Sequence, residues 1–133
     1  MNDDKNESLF GEPIFSYTRK QALADGLQVD VTGTAKEAGI KFPTFLTRAA
    51  FDAYVVVPPN VEGQDEAGRL WDVLWMTRHA ILRAKQDSDR IKVELYIRND
   101  NRQPKLVRLV AVCGALDIDD AQPAITVMLP DED

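Results

Sequence analysis

The clearest pattern lies between residues 65 and 86, where DEAGRLWDVLWMTRHAILRAKQ spaces apolar side chains at helical intervals. At about 100° per residue, Leu70, Val73, Leu74, Thr77, Ala80, Ile81 and Ala84 share one arc. Trp71, Trp75 and Leu82 widen that arc on one side, while Asp72, His79 and Arg83 lie opposite, beside Met76. So wide an apolar face predicts that this helix is the spine of the core. The period then changes to two. Ile91, Val93, Leu95 and Ile97 alternate with Lys92, Glu94, Tyr96 and Arg98, as in a strand with one buried face. Turn residues follow at 99–104, then a second strand with Val107, Leu109, Ala111 and Cys113 on one face. A polar loop is expected at 114–122 and a third strand at 124–129. Short connections between consecutive strands predict an antiparallel meander.

The first half reads as a series of short pieces. Thr18 and Gln21 have the spacing of a capping box, so a helix is expected from Arg19 to Asp25, stopped by Gly26. Leu27, Val29 and Val31 alternate with Gln28 and Asp30 in a short extended stretch. Thr34-Ala35-Lys36-Glu37 repeats the capping pattern and Gly39 ends that turn. Thr47 caps a helix running through Phe51 to Tyr54, and residues 14–17 suggest a brief extended segment. Pro58-Pro59, with Asn60 and Gly63, separates two halves of one domain. Helices come first and strands last. The expected class is therefore α+β: short N-terminal helices and one long helix packed on an antiparallel sheet of three or more strands. Residues 1–9 read as a loose tail, 10–133 as one domain, and the end, Pro130-Asp131-Glu132-Asp133, as an acidic tag.

Composition narrows the chemistry. The 133 residues carry 16 basic and 22 acidic side chains, a net charge of −6, which argues against a strongly basic nucleic-acid binder. One cysteine excludes an internal disulfide and a Cys-only zinc site, and one histidine excludes two-His metal motifs. No apolar run approaches the roughly 18 residues of a membrane span. The acidic, polar start MNDDKNES is unlike a signal peptide. Neither metal, cofactor nor membrane is implied, and no catalytic residue is indicated.

Charge is nevertheless uneven. From Arg69 to Arg108 there are ten basic and five acidic residues, a net of +5, which leaves −11 for the rest. Lys92 and Arg98 share a strand face and Arg108 can join them from the neighbouring strand, either as a basic patch for phosphate or as a solvated face paired with Glu94. Trp71 and Trp75, one turn apart, suit a partner interface or core packing, with core favoured for at least one. Arg78 points between Leu74 and Leu82, inside the apolar arc. A buried guanidinium there requires a carboxylate partner, from Asp25, Asp30 or the acidic residues of 117–120, unless it edges an anion pocket or its stem snorkels and leaves the charge in water. Asp117-Ile118-Asp119-Asp120 lacks the ligand number and glycine of a calcium loop. No Ser or Cys nucleophile is placed near His79, and Cys113 reads as a buried small hydrophobe.

The stretches IFSYTRKQALADGLQVDVT, AKEAGIKFPTFLTRAAFDAYV, GQDEAGRLWDVLWMTRHAI and PAITVMLPDED together resemble a domain-of-unknown-function family of small bacterial proteins carried on conjugative plasmids and integrative elements. The blocks around Tyr17-Thr18-Arg19 and from Gly63 to Met76 are the most specific. The resemblance implies a cytoplasmic accessory protein of a mobile genetic element, with an anti-defence or regulatory role by context, and carries over no catalytic residue. Tyr17-Thr18-Arg19, Ala22 and Asp25-Gly26-Leu27 are also similar to the opening of ADP-ribosyltransferase folds. The Ser-Thr-Ser or Glu-X-Glu motif expected downstream is absent, and a capped helix accounts for these residues. The leading expectation is a non-enzymatic interaction module with a protein partner. The alternative is a small enzyme or a nucleotide- or anion-binding protein using Arg19 or Arg78 in a cleft. A weaker alternative is nucleic-acid binding through Lys92, Arg98 and Arg108.

Overall fold

A computed structural model describes residues 17–85 and 88–132. The tail expected at 1–9, all but Tyr17 of the segment at 14–17, and the final helical residue at 86 lie outside this range. The Thr18 hydroxyl accepts from Gln21 N and the Gln21 side chain accepts from Thr18 N, closing the capping box of α1 (Arg19–Ala24). Gly26, at φ 74°, turns the chain out of α1. Strand β1 (Gln28–Asp30) and helix α2 (Thr32–Glu37) follow. The N-cap of α2 is Val31, three residues before the expected cap Thr34. The first-turn signal is displaced because Asp30 Oδ1 accepts from Thr32 N, while the Thr32 hydroxyl bridges to the backbone of Thr44. Thr34 is therefore interior to the helix.

The unexpected element of the first half is β2 (Thr44–Thr47), whose first three residues are all buried. Thr47 then caps α3 (Arg48–Tyr54) as expected, accepting from Ala50 N. Its hydroxyl also donates to Glu132 Oε2 at 2.7 Å, so the acidic C-terminal stretch is tied to the fold through this glutamate. The long helix is α4 (Glu66–Arg83), capped by Asp65.

Strands β3 (Arg90–Ile97), β4 (Lys105–Asp117) and β5 (Asp120–Met128) form the antiparallel meander read from the period-two pattern. The polar loop expected at 114–122 is instead the end of a long hairpin, whose strands pair down to Asp117 opposite Asp120 through a bulge at Ala115/Asp117. The sheet has five strands in the order β1-β2-β5-β4-β3. It is mixed rather than wholly antiparallel, because β2 lies parallel to β5, with Phe45 beside Thr126. Strand β2 is separated from β5 by α3, α4 and two strands, and a crossover of that length permits parallel pairing.

One face of the sheet holds the core. Val73 and Leu74 of α4 pack with Val93 and Leu95 of β3, Leu109 and Ala111 of β4, Val127 of β5 and Leu46 of β2, while Ala35, Ala38 and Ala50 bring in α2 and α3. Complete burial of a side chain such as Leu74 contributes roughly 1.5–3 kcal/mol. The opposite face is covered near β2 and β5, where Phe45 and Thr126 are buried, and open on β3 and β4, where Lys92, Glu94, Tyr96, Leu106 and Arg108 are exposed.

Candidate interaction surface

Helix α4 buries a narrower arc than its sequence suggests. Arg69, Val73, Leu74 and Thr77 are its buried residues. Trp75 lies two residues from Thr77, about 200° around the helix, and so falls outside the buried arc, at a groove shared with Glu94, Tyr96 and Leu106 at the sheet edge. Trp71, Trp75 and Leu82 are 37%, 40% and 65% exposed, which corrects the expectation that at least one tryptophan belongs to the core. The covered sector of the helix is centred on Val73, Leu74 and Thr77. The tryptophans extend the apolar arc beyond that sector, into solvent.

These side chains are ordered by one another. The Trp71 and Trp75 rings stack at 6.0 Å with 13° between planes, and the His79 ring meets Trp75 edge-on at 4.8 Å. Three aromatic groups thus follow one another at i, i+4 spacing. The Arg78 guanidinium carbon sits 5.5 Å from the Trp75 centroid. Its stem lies along Gly39, where an added Cβ would fall 2.6 Å from Arg78 Nε. Gly39 also has φ 98°, a backbone conformation that favours glycine, and a side chain there would have to displace Arg78. Beside Arg78 an apolar cleft of about 340 Å³ opens between Ile40, Phe42, Ile81 and Leu82. Phe42 is 47% exposed at its rim.

The carboxylate partner expected for Arg78 is absent among the described residues: its charged group lies over Trp75 and it is half-buried. The buried arginine of this helix is Arg69, 3% exposed. It donates to Tyr54 O at 2.9 Å, Arg98 O at 3.0 Å, Gln64 Oε1 at 3.3 Å and Asn99 Oδ1 at 2.6 Å. Burial, with the Arg98 charge nearby, lowers its pKa, yet an arginine remains protonated. Neutral oxygens therefore carry the whole compensation. The available signal was spacing: Arg69 stands four residues before Val73 and eight before Thr77, on the same stripe.

Arg19 is likewise turned inward. It donates to Leu116 O at 2.6 Å, to Gln28 Oε1 and Thr126 Oγ1 at 2.9 Å each, and lies 4.2 Å over the Phe45 ring. Burial lowers its pKa, opposed by Asp117. Asp117 accepts from the backbone N–H groups of Ile118, Lys20 and Arg19, which hold its carboxyl below the usual aspartate range. The 117–120 acids thus belong to a hairpin tip that holds the start of α1. No group of three or more His, Cys, Asp or Glu side chains fit to hold a metal occurs among the described residues.

Of the expected basic patch, the strand register brings Lys92 and Arg108 together around Glu94, while Arg98 is turned elsewhere. Lys92 and Arg108 stand on the open sheet face, but Arg108 Nε donates to Glu94 Oε2 at 2.8 Å in an exposed ion pair. That hydrogen bond lowers the Glu94 pKa. Arg98 folds away, donating to Glu62 O, to Asp100 O and to Asn101 Oδ1, and so fastens the 60s loop to the β3–β4 turn. His79 serves the aromatic row, and Cys113 is half-buried, its thiol pushed up by burial and then by Asp89. No helix of the described residues is long and apolar enough to cross a membrane. Comparison with protein-family models, curated proteins and solved structures finds no match for this chain.

Proposed function

We propose that the chain is a non-enzymatic interaction module whose working surface is the outward face of α4 with the cleft beside Phe42, and whose ligand is a protein. The observation that carries this reading is the stacked pair Trp71 and Trp75, held in solvent at 37% and 40% exposure. Tryptophan is enriched among interface hot spots because a large, rigid ring gains much on burial at little entropic loss. The adjoining cleft and exposed Leu82 extend the apolar surface. The alternative, an anion-binding or catalytic cleft, relies on Arg19 or Arg78, yet Arg19 donates to internal oxygens and Arg78 lies against Trp75. An accessory role on a mobile genetic element, regulatory or anti-defence, rests on the sequence resemblance.

The experiment is site-specific photo-crosslinking from position 82 in the cells of origin. A protein adduct should form, and it should disappear when Trp71→Ala and Trp75→Ala are combined at unchanged melting temperature. An adduct that survives both substitutions, or no protein adduct at all, overturns the proposal.

A further inference from the structure

The outward face of α4 is complementary to itself. Trp75 lies at its centre, and the flanking residues differ in kind on the two sides. At about 100° per residue, Asp65, Asp72, His79 and Arg83 fall on one flank, roughly 40–80° from Trp75. Trp71, Arg78 and Leu82 fall on the other. Consider two such helices packed antiparallel about a two-fold axis passing level with Trp75. A residue above Trp75 on one flank then meets a residue below it on the same flank of the other copy.

On the polar flank, Asp72, three residues before Trp75, meets His79, four residues after it, and the pair occurs twice. The more distant Asp65 comes opposite Arg83. On the apolar flank, Arg78 reaches the ring of Trp71, and the two Trp75 rings meet at the axis. Leu82, seven residues after Trp75, comes level with Gly68, seven before it, where the capping carboxylate of Asp65 lies against the backbone. Thus no like charges are opposed in these pairs, and Asp72 and Arg78 each meet a ring of the other copy. Among the described residues, Asp72, Arg78 and Arg83 form no ion pair within their own chain. Asp72 and Arg83 are exposed.

We infer that the protein seated on this surface is a second copy of the chain, joined as an antiparallel two-fold dimer through Trp71, Asp72, Trp75, Arg78, His79 and Leu82. This rests on the reading of the α4 face as the working surface and names its occupant. The flank charges set the register, and the tryptophans supply the buried area.

Sedimentation velocity over a range of concentrations tests it on the whole chain, with melting temperature and circular dichroism as folding controls. Wild type should sediment as a dimer. Trp75→Ala should weaken association by roughly thirtyfold or more, as for an aromatic hot spot at an interface centre. His79→Glu sets glutamate against Asp72 in both contacts and should leave monomers. Asp72→Lys loses both pairings and should do likewise. Mixing these two variants should restore a one-to-one heterodimer. In it the introduced lysine faces the introduced glutamate, and the native Asp72 of one chain faces the native His79 of the other. A merely destabilised fold would not be rescued in this way. A wild-type chain that stays monomeric overturns the inference, as does a dimer indifferent to these substitutions. In either case, a position-82 adduct to a different protein leaves the proposed function standing, and the absence of any adduct removes both.

Discussion

Two arginines nine residues apart on α4 solve opposite problems. Arg69 enters the interior and meets only neutral oxygens, from the end of α3, the 60s loop and the β3–β4 turn. Arg78 keeps its charge at the surface, its stem against Gly39 and its guanidinium over Trp75. Where loops converge, a guanidinium with five donors can fasten several backbone segments at once, and their carbonyls compensate its charge without a carboxylate. Where the helix faces solvent, the same side chain covers apolar surface with its methylenes and leaves its charge available.

Arg69→Met should break the first arrangement. Hydrogen bonds to a charged group are each worth roughly 1.5–3 kcal/mol, so a loss of about 3–5 kcal/mol in chemical unfolding is expected, together with faster amide exchange in the 60s loop. Gly39→Ala should be next. It imposes a Cβ on a residue at φ 98° and displaces Arg78, with an expected loss of about 1–3 kcal/mol. Arg78→Met should stay within about 0.5 kcal/mol of wild type in the unfolding of the monomer, since the stem is preserved and no partner is stranded. A loss as large as that of Arg69→Met would show that Arg78 is paired internally and would erase the contrast.

The Arg19 site sharpens it from another side, because its surroundings include a carboxylate. The Asp117 pKa is depressed in the fold, so its contribution to stability is complete above the ordinary aspartate value of about 3.9 and is lost as pH falls through the lower folded value. Melting temperatures of Asp117→Asn should therefore fall less steeply than wild type below about pH 4. The Arg69 site, whose acceptors are all neutral, should contribute no corresponding acid limb. Parallel acid limbs in wild type and Asp117→Asn would show that Asp117 is not held as described.

What the sequence discloses follows from how local each cause is. The cap residues Thr18, Thr47 and the alternation Ile91-Val93-Leu95-Ile97 act within a few residues, and their elements stand where expected. Strand β2 has only four residues, of which Thr44, Phe45 and Leu46 are buried alike, so no alternation announces it. Its neighbour in the sheet, β5, is supplied by the far end of the chain. The surface was half legible. The tryptophans were singled out as interface candidates, but their placement depended on how much of α4 the sheet could cover, a property of tertiary packing. Arg69 is hard to read from sequence because its acceptors come from three separate segments, although its spacing to Val73 places it on the buried stripe.

The strand order also has a consequence for synthesis. Strand β5 comes after the other four strands in chain order yet lies in the middle of the sheet, wedged between β2 and β4. Until residues 120–128 clear the ribosome, β1 and β2 have no sheet to join, and the meander ends in an unfilled edge. Everything from α1 to β4 must wait as an incomplete collapsed chain, with Leu46 and Ala111 short of their common neighbour Val127. Parallel pairing between β2 and β5, about eighty residues apart, brings a large loop-closure term late in folding. Nascent chains stalled before residue 120 should therefore be protease-sensitive along their whole length, with protection arriving in a single step once β5 is free to insert.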